Sequence, residues 1–335
     1  MGAAPLTADV LRIDPAKESE RIARAVEEQV FHALRRRGAV VGLSGGVDSS
    51  VTAALLVRAL GASRVLALLM PEAESSGDSL RLGRIVAERL GIEALVEDLS
   101  PILESAGCYA RRDDAIRKVV PDYGAGHRCK VVLPGVLSGQ AYRISQLVVR
   151  APDGAERRVR LSADAYHGLI AATNFKQRTR KMLEYYHADR LNYAVAGTPN
   201  RLEYDQGFFV KNGDGAADVK PIAHLYKTQV YQLGEVLDVP AEILARRPTT
   251  DTFSLEQTQD EFYFPLPYGP MDLCLYGRNH GIPAERVAPA CGLTTRQVEL
   301  VYADIDAKRK ATRYLHLSPL LVDEVSEVPP PPESR

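Results

Sequence analysis

A short glycine-rich stretch, VVGLSGGVDSS at Val40–Ser50, contains the residues with the clearest chemical potential. It includes G-x-S-x-G at Gly42–Gly46, the pattern of a hydrolase nucleophile elbow, in which Ser44 would attack the substrate. It also includes S-G-G-x-D-S at Ser44–Ser49, a glycine loop between an apolar strand and a predicted helix. Backbone N–H groups and the helix dipole at such a place favour a bound anion. The same serine is therefore either a nucleophile or a hydrogen-bond donor to phosphate.

The position of this loop in the chain favours the second interpretation. A nucleophile elbow follows several strands and needs an acid and then a histidine later in the chain. His224, His280 and His316 are available, but the loop ends the first predicted strand and no H-G-G-G-like segment precedes it. A kinase-type phosphate loop is weaker still because no lysine follows Gly46. The glycine spacing does not fit a dinucleotide-binding fingerprint either.

An anion-binding loop gives each polar residue of the motif a task. Ser44 and Ser49 would donate hydroxyl hydrogen bonds, while Gly45 and Gly46 would let the backbone approach a pyrophosphate closely. Asp48 would repel phosphate unless a metal ion lay between them, so the motif predicts Mg²⁺. A tight strand–helix turn with chance serines is the alternative.

Composition limits the classes of protein to which the chain can belong. It has 335 residues, 45% hydrophobic and 25% charged, with a formal net charge of −1. These values fit a globular protein and give no global field that would recruit nucleic acid or an anionic membrane. The four cysteines are widely spaced with no C-x-x-C, and we find neither a signal peptide nor a run of about 18 apolar residues that could span a membrane. We expect a cytoplasmic protein with reduced thiols.

Hydrophobic periodicity predicts an α/β fold with a doubly wound, mainly parallel sheet. Short apolar strands alternate with helices from residue 15 to residue 99, which is typical of crossover connections. Within 142–162, two strand-like runs flank Pro-Asp-Gly, the signal of an inserted β-hairpin. Other predicted elements are helices at 15–37, 166–192, 228–239, about 270–280 and 294–312, a strand at 193–197 and a long loop at 246–270. We predict one domain, 1–324, with an insertion at about 124–165 and a disordered proline-rich tail at 325–335.

Several motifs together resemble one enzyme family. S-G-G-x-D-S after a first strand is similar to the pyrophosphate-binding loop of the N-type ATP pyrophosphatases. NFKQRTR at 174–180, RRPTTD at 246–251 and GTPNRLEYDQGFFVKNGDGAADVKPIAHLYKTQVYQL at 197–233 resemble the NAD synthetase family, as does LPY followed by an acidic helix position at 266–272. The resemblance runs from about residue 15 to 315 and is broken near 124–165. It implies the Rossmann-like fold of the adenine nucleotide alpha hydrolases and a homodimer.

The resemblance also implies a reaction, the ATP-dependent amidation of deamido-NAD to NAD with ammonia. The substrate carboxylate would attack ATP to give an acyl-adenylate and pyrophosphate, and ammonia would then displace AMP. Phosphate clamps, a metal ion and orientation serve this chemistry better than a protein nucleophile. The residues implied for ATP or pyrophosphate are Ser44, Gly45, Gly46, Asp48, Ser49, Thr198, Lys227 and Thr249, and those implied for Mg²⁺ are Asp48 and Glu203.

By the same resemblance, a second group of residues binds deamido-NAD: Asn174, Arg178, Lys211, Asp214 and Asp218. Asp214 would bind ammonium and assist its deprotonation, which makes Asp48, Lys227 and Asp214 the candidate catalytic residues. Each assignment has a simpler alternative. Lys227 would be a solvated helix start, Glu203 a surface carboxylate and Asp214 part of a Gly-Asp-Gly turn. Lys176, Arg178, Arg180 and Lys181 would form an ordinary solvated helix face.

Two features depart from the family pattern, and they leave questions of partner and substrate open. Leu69 stands where many ammonia-dependent members carry Arg, which leaves the adenine contacts of the following loop undefined. The insertion at about 124–165 is either decoration or a part that extends the dimer interface, binds a partner or alters the acid substrate.

Only about 38 residues precede the first strand, too few for a glutaminase domain, so we expect free ammonia, with a separate glutaminase subunit as the alternative. The competing functions are an amide ligase for another acid, an RNA-modifying ATP pyrophosphatase and a non-catalytic nucleotide-binding module.

Overall fold

The centre of the molecule is a four-stranded parallel sheet, and a smaller antiparallel sheet lies beside it. The computed structural model describes residues 6–132, 145–246, 253–255, 257, 263–323, 325 and 327. Their strands are β1 (Ala39–Gly42), β2 (Val65–Leu69), β3 (Glu93–Val96), β4 (Arg128–Val132), β5 (Gln146–Arg150), β6 (Glu156–Arg160) and β7 (Ala194–Ala196). The central sheet has the order β3-β2-β1-β7, and β1 pairs in parallel with both neighbours. This confirms the predicted α/β fold with a parallel sheet.

Helices connect these strands and complete the chain. They are α1 (Pro15–Glu27), α2 (Val47–Leu60), α3 (Gly77–Leu90), α4 (Ser100–Ser105), α5 (Cys108–Arg117), α6 (Ala163–Leu191), α7 (Arg201–Gln206), α8 (Lys227–Val236), α9 (Ala241–Ala245), α10 (Tyr268–Asn279), α11 (Ala284–Cys291) and α12 (Thr295–Thr312). One wider π-type segment, Glu28–Ala33, continues α1, and single 3₁₀ turns occur at Ala8–Leu11, Ala62–Arg64 and Arg313–His316. None of the described helices is long and apolar enough to cross a membrane.

Both faces of the central sheet are covered, as its continuous apolar strands require. Successive strand residues point to opposite faces, and β1 shows the result. Val41 packs with buried residues of α1, α2, α3 and α8, whereas Val40 packs on the other side with Ala188 of α6. Among the described helices, α6 supplies the residues that pack on this second face, and its Glu184 lies at the carboxyl end of β1.

The predicted hairpin is present and belongs to a larger unit. β5 and β6 are antiparallel, and the turn between them has Gly154 at φ +89°, with Asp153 accepting a hydrogen bond from Ala155 N at 2.9 Å. β4 adds a third strand, in the order β4-β5-β6, that the sequence did not predict. Apolar side chains of this inserted sheet pack against the start of α6 and against α5.

Other differences concern short elements. Helix α11 lies between the two helices predicted at the C-terminal end, and α10 already begins at Tyr268, inside the predicted long loop. Helices α4, α7 and α9 have five or six residues each, too few to show a helical period. The predicted tail at 325–335 lies outside the described residues except at 325 and 327, and the single-domain division stays a prediction. All four cysteines are free thiols.

Candidate functional site

The carboxyl ends of β1 and β2 open into a cavity of about 520 Å³. This volume lies within the range of small-molecule sites, roughly 300–1,000 Å³. The glycine loop after β1 borders the cavity, together with Leu69 at the end of β2. In open α/β sheets, ligands bind at the carboxyl ends of the strands. The cavity is therefore the candidate site.

Glycine is required at one position of this loop. Gly45 has φ +74°, and a Cβ there would lie 2.7 Å from the Cβ of Leu82 and 2.9 Å from the carbonyl oxygen of Ser79. Ser49 Oγ donates to the Gly46 carbonyl oxygen at 3.0 Å and lies 3.2 Å from Ser44 Oγ. The loop thus packs against α3 and leads directly into α2, whose N-terminal residues border the cavity.

The histidines needed for a nucleophile elbow are engaged elsewhere. His224 Nε2 lies 2.8 Å from Glu18 Oε1, and His280 Nδ1 lies 2.8 Å from the carbonyl oxygen of Tyr276. His316 packs edge-on against Tyr204. None of the three belongs to the cavity lining formed by the described residues. Within the part of the chain that the structure describes, none of these three histidines is placed to activate Ser44 as the hydrolase interpretation requires.

Lys227, at the start of α8, is buried beside the loop. Its ammonium contacts Asp48 Oδ2, and Asn200 Nδ2 donates to Asp48 Oδ1 at 3.2 Å. Burial favours the neutral amine, but attraction by Asp48 and Glu203 outweighs it and raises the pKa of Lys227. With 1% of its surface exposed, Lys227 is not a solvated helix start, and that alternative is wrong.

Two further carboxylates, those of Glu203 and Asp272, hold the backbone segments that carry Asn200 and Lys227. Glu203 borders the cavity, and its Oε2 accepts from Asn200 N at 3.1 Å in a capping box that begins α7. Asp272, on α10, is fully buried and accepts from Lys227 N at 3.3 Å and from Thr228 N at 2.7 Å. Burial raises the pKa of Asp272 to about 6, although these hydrogen bonds oppose the shift. The acidic position after LPY thus holds the first turn of α8, which carries Lys227.

One face of α6 forms a long side of the cavity. Its lining residues recur at helical spacing and are Tyr166, Ile170, Thr173, Asn174, Gln177, Arg180 and Glu184. The neighbouring lysines are not solvated, contrary to the simpler alternative. Lys181 Nζ lies 2.6 Å from Glu184 Oε2, with both side chains buried. Lys176 is 1% exposed and pairs with Glu72 at 3.0 Å and with Glu74 at 2.6 Å.

A pair of carboxylates lies at the sheet end of this stripe. Asp214 borders the cavity, and its Oδ1 accepts from Val210 N at 2.7 Å. The Asp214 side chain is itself exposed, and partial loss of hydration among the surrounding residues raises its pKa. Burial likewise raises the pKa of Glu184, although Lys181 opposes the shift. Glu184 was missed from the sequence because its position next to Gly42, 3.2 Å from a Cβ built there, arises only in the folded chain.

The remaining predicted residues lie in different places. Thr198 borders the cavity, whereas Thr249 lies outside the described residues. Arg178, Lys211 and Asp218 lie away from the lining that the described residues form. Arg178 Nε donates to the Lys211 carbonyl oxygen at 3.3 Å, and Lys211 Nζ donates to the Tyr314 carbonyl oxygen at 2.8 Å. Asp218 accepts from Val195 N at 2.7 Å and thereby holds β7. Their roles in substrate binding stay predictions.

Known proteins with similar sequences cover nearly the whole chain. The NH(3)-dependent NAD(+) synthetase of Rhizobium meliloti (strain 1021) is 61% identical over 322 residues, which are 96% of each chain. The NH(3)-dependent NAD(+) synthetase of Rhizobium rhizogenes (strain K84 / ATCC BAA-868) is 62% identical over 320 residues, again 96% of each chain.

Solved structures show the same fold at low sequence identity. The NH3-dependent NAD synthetase from Campylobacter jejuni in complex with the nitrate ion has a TM-score of 0.61 at 22% identity, over 93% of this chain and 100% of that chain. The NMN synthetase from Francisella tularensis has a TM-score of 0.62 at 22% identity and the same coverage. The predicted Rossmann-like fold is confirmed. The sequence model described as NAD synthase matches residues 18–122 and 148–311, and the chain belongs to the NAD synthase family.

Proposed function

We propose that the cavity is the active site for the synthesis of NAD. The chain catalyses the ATP-dependent amidation of deamido-NAD with ammonia, the reaction of an NH3-dependent NAD synthetase. One observation carries this function at the site: Asp48 of the loop Ser44–Ser49 forms an ion pair with the buried Lys227 at the head of the cavity. A glycine loop at a helix N-terminus with a fixed cation suits a departing pyrophosphate.

The chemistry proceeds in two displacements. A carboxylate is a poor electrophile because its leaving group would be an oxide. An oxygen of the deamido-NAD carboxylate attacks the α-phosphorus of ATP, the bond to the β-phosphate oxygen breaks, and pyrophosphate leaves. Ammonia then attacks the carbonyl carbon of the acyl-adenylate, the bond to the AMP oxygen breaks, and the amine loses a proton. The protein's part is to orient the reactants and stabilise charge.

The phosphate end is held by groups that the fold fixes. Backbone N–H groups at Gly45 and Gly46, with the hydroxyls of Ser44 and Ser49, bind the pyrophosphate as it leaves. Lys227 supplies a point charge to the ATP phosphates. Thr198 contacts the nucleotide, and Thr249 belongs to the same set by family resemblance.

Asp48 and Glu203 fit a magnesium site. Both border the cavity and carry the hard oxygen ligands that Mg²⁺ prefers. The described residues contain no cluster of three metal-binding side chains. Mg²⁺ is commonly bound through one or two carboxylates together with substrate phosphates, so two suffice. When bound, the ion would neutralise phosphate charge. Lys227 and Asn200 hold the Asp48 carboxylate in place for it.

Asp214 assists the second displacement. Its raised pKa brings its proton affinity closer to that required of a general base near neutral pH. Its carboxylate would bind ammonium and accept the proton that the attacking nitrogen loses. The nearby Glu184 carboxylate is paired with the Lys181 ammonium. We therefore assign the acceptance of the proton to Asp214 and not to Glu184.

The acid substrate lies along α6. Asn174 borders the cavity and would hydrogen-bond deamido-NAD directly. Arg178 and Lys211 would reach the substrate by exchanging their present bonds to backbone carbonyl oxygens. Asp218 would act through β7, which it holds. We further infer a cytoplasmic homodimer that uses free ammonia. The molecular mass in solution tests the dimer, and omission of ammonium with glutamine supplied tests the nitrogen source.

One assay tests the function. Purified protein receives ATP, Mg²⁺, ammonium and deamido-NAD, and NAD, AMP and pyrophosphate are measured. We expect the three products in equal amounts, and none without deamido-NAD. AMP released with another carboxylic acid, and no NAD from deamido-NAD, would instead assign the chain a different acid substrate.

A further inference from the structure

The stripe that α6 presents to the cavity changes its chemistry along the helix. At the sheet end it carries Arg180 and Glu184, next to the glycine loop. At the other end it carries Tyr166, Ile170 and Thr173, which have no charge. Positions 166 and 184 are about 27 Å apart along the axis at 1.5 Å per residue. The cavity therefore has a charged end beside the predicted phosphate-binding loop and a remote uncharged end.

The inserted sheet closes the uncharged end. Val131 of β4 and Ser145, just before β5, border the cavity beside Tyr166. Tyr263 borders it as well, and its ring stacks on Phe208 with centroids 4.5 Å apart and planes at 24°. Aromatic and aliphatic walls with a few hydroxyl groups suit a flat nucleobase and its sugar.

The wall is anchored on both sides. On one side, β5 and α6 bury Leu147, Val149 and Leu169 in a common apolar cluster. On the other side, the free edge of β4 binds a second segment of the chain. Leu255 N donates to the Cys129 carbonyl oxygen at 3.0 Å, and Cys129 N donates to Ser254 Oγ at 2.9 Å. Such a wall has a fixed position relative to α6, as a binding surface requires.

We propose that the uncharged end is a subsite for an adenosine moiety, built in part by the inserted sheet. The inference rests on the proposed function, in which both ATP and deamido-NAD carry an adenosine. In each substrate the phosphates belong at the charged end, and the adenosine is the uncharged part that remains to be held. The insertion is then a part of the substrate site and more than decoration.

Substitution of Tyr166 tests the subsite by kinetics. Tyr166→Ala removes the ring and should raise the KM for ATP or for deamido-NAD about tenfold or more, as loss of base stacking does, with little change in kcat. Tyr166→Phe keeps the ring and should keep both KM values. A rise for ATP assigns the subsite to ATP. A rise for deamido-NAD, with unchanged inhibition by the nicotinate mononucleotide that lacks the adenylate half, assigns it to deamido-NAD. Two unchanged KM values overturn the proposal.

A fluorescent reporter gives a second measurement that does not depend on tolerance of alanine. The chain has no tryptophan, so Tyr166→Trp introduces a single indole. Its emission should change as ATP or deamido-NAD is added, with saturation near the corresponding KM. Tyr193→Trp is the matched control, because Tyr193 is half-buried beside Gly38 at the opposite end of the strands. Emission that responds to neither substrate overturns the subsite. Wild-type protein that forms no NAD overturns the proposed function instead.

Discussion

At the scale of single residues, the pairing of Lys227 with Asp48 joins stability to catalysis. Lys227 is buried, and its principal counterion is Asp48, which keeps one side on the cavity. We expect Asp48→Asn to lower the free energy of unfolding by about 2–3 kcal/mol, somewhat less than for a fully buried pair. It should also lower NAD formation by about 100-fold or more, because the charge beside the phosphates is lost. Denaturant unfolding and AMP release measure the two effects.

A double variant separates these two effects. In Asp48→Asn with Lys227→Met, the buried charge is gone together with its partner, so most of the lost stability should return. Activity should stay as low as in Asp48→Asn alone. Recovery of turnover in the double variant, or full turnover in the single one, would remove Asp48 from the mechanism.

Asp214 allows the two displacements to be measured separately. Asp214→Asn should lower NAD formation by about 100-fold, the lower range for loss of a general base, and leave a single turnover of pyrophosphate release nearly unchanged. In wild type the rate of amide formation should rise with pH through the raised pKa of Asp214, because only the ionised carboxylate accepts a proton. The variant should lack this rise. Equal losses in both steps would place Asp214 in substrate binding only.

At the scale of elements, local sequence patterns predict single turns, strands and helices. They do not show which distant segments pair or pack together. The hairpin was predictable because Pro152 and Gly154 mark its turn between two strand-like runs. β4 was not, because the 13 residues at 133–145 that separate it from β5 are too many for a hairpin turn, so the local pattern does not show that the two strands pair. The loop at Ser44–Ser49 could be identified from its own short motif. Its pairing with Lys227, 179 positions away, was implied only by family resemblance.

A buried ionic cluster fixes the segment after β2 to α5 and α6. Lys176 contacts Glu72 and Glu74, while Tyr109 donates to Glu72 Oε2 at 2.8 Å. We expect Lys176→Met to lower the free energy of unfolding by about 3 kcal/mol, because the fully buried Glu72 loses its cation. Adding Glu72→Gln should restore part of the loss. Arg112 also contacts Glu74. Thermal or denaturant unfolding measures the effect, and a stable single variant would show that Tyr109 and Arg112 suffice to hold the carboxylates.

The first turn of α8 gives a pH-dependent stability. The folded-state pKa of Asp272 is about 6, above the ordinary value of 3.8. The protonated carboxyl therefore favours the folded state, and this contribution is full below about pH 4 and lost as pH rises through about 6. The loss amounts to about 3 kcal/mol. Asp272→Asn should remove this fall, so urea unfolding of both proteins at about pH 4 and about pH 7 tests it. Parallel curves for the two proteins would contradict it.

At the scale of the whole molecule, the cavity lies where three packing units meet. The central sheet contributes the glycine loop, the inserted sheet contributes Val131 and Ser145, and the C-terminal helical cluster contributes Phe208 and Tyr263. A ligand that fills the cavity touches all three. Binding should therefore stabilise the molecule as one unit, with a gain that follows mass action.

Substitution of Lys227 should separate the stabilisation that ATP gives from the stabilisation that deamido-NAD gives. ATP with Mg²⁺ at 100 times its Kd should add about 2.7 kcal/mol to the wild-type free energy of unfolding, seen as a rise of a few degrees in Tm. Lys227→Met should lose most of the rise at the same ATP concentration, because the phosphate clamp is gone. Its response to deamido-NAD alone should persist, since Asn174 and the rest of the α6 stripe are intact. An ATP shift in Lys227→Met equal to that of wild type would mean that the lysine stabilises Asp48 and nothing else. Loss of both shifts would mean that the variant has disturbed the cavity as a whole.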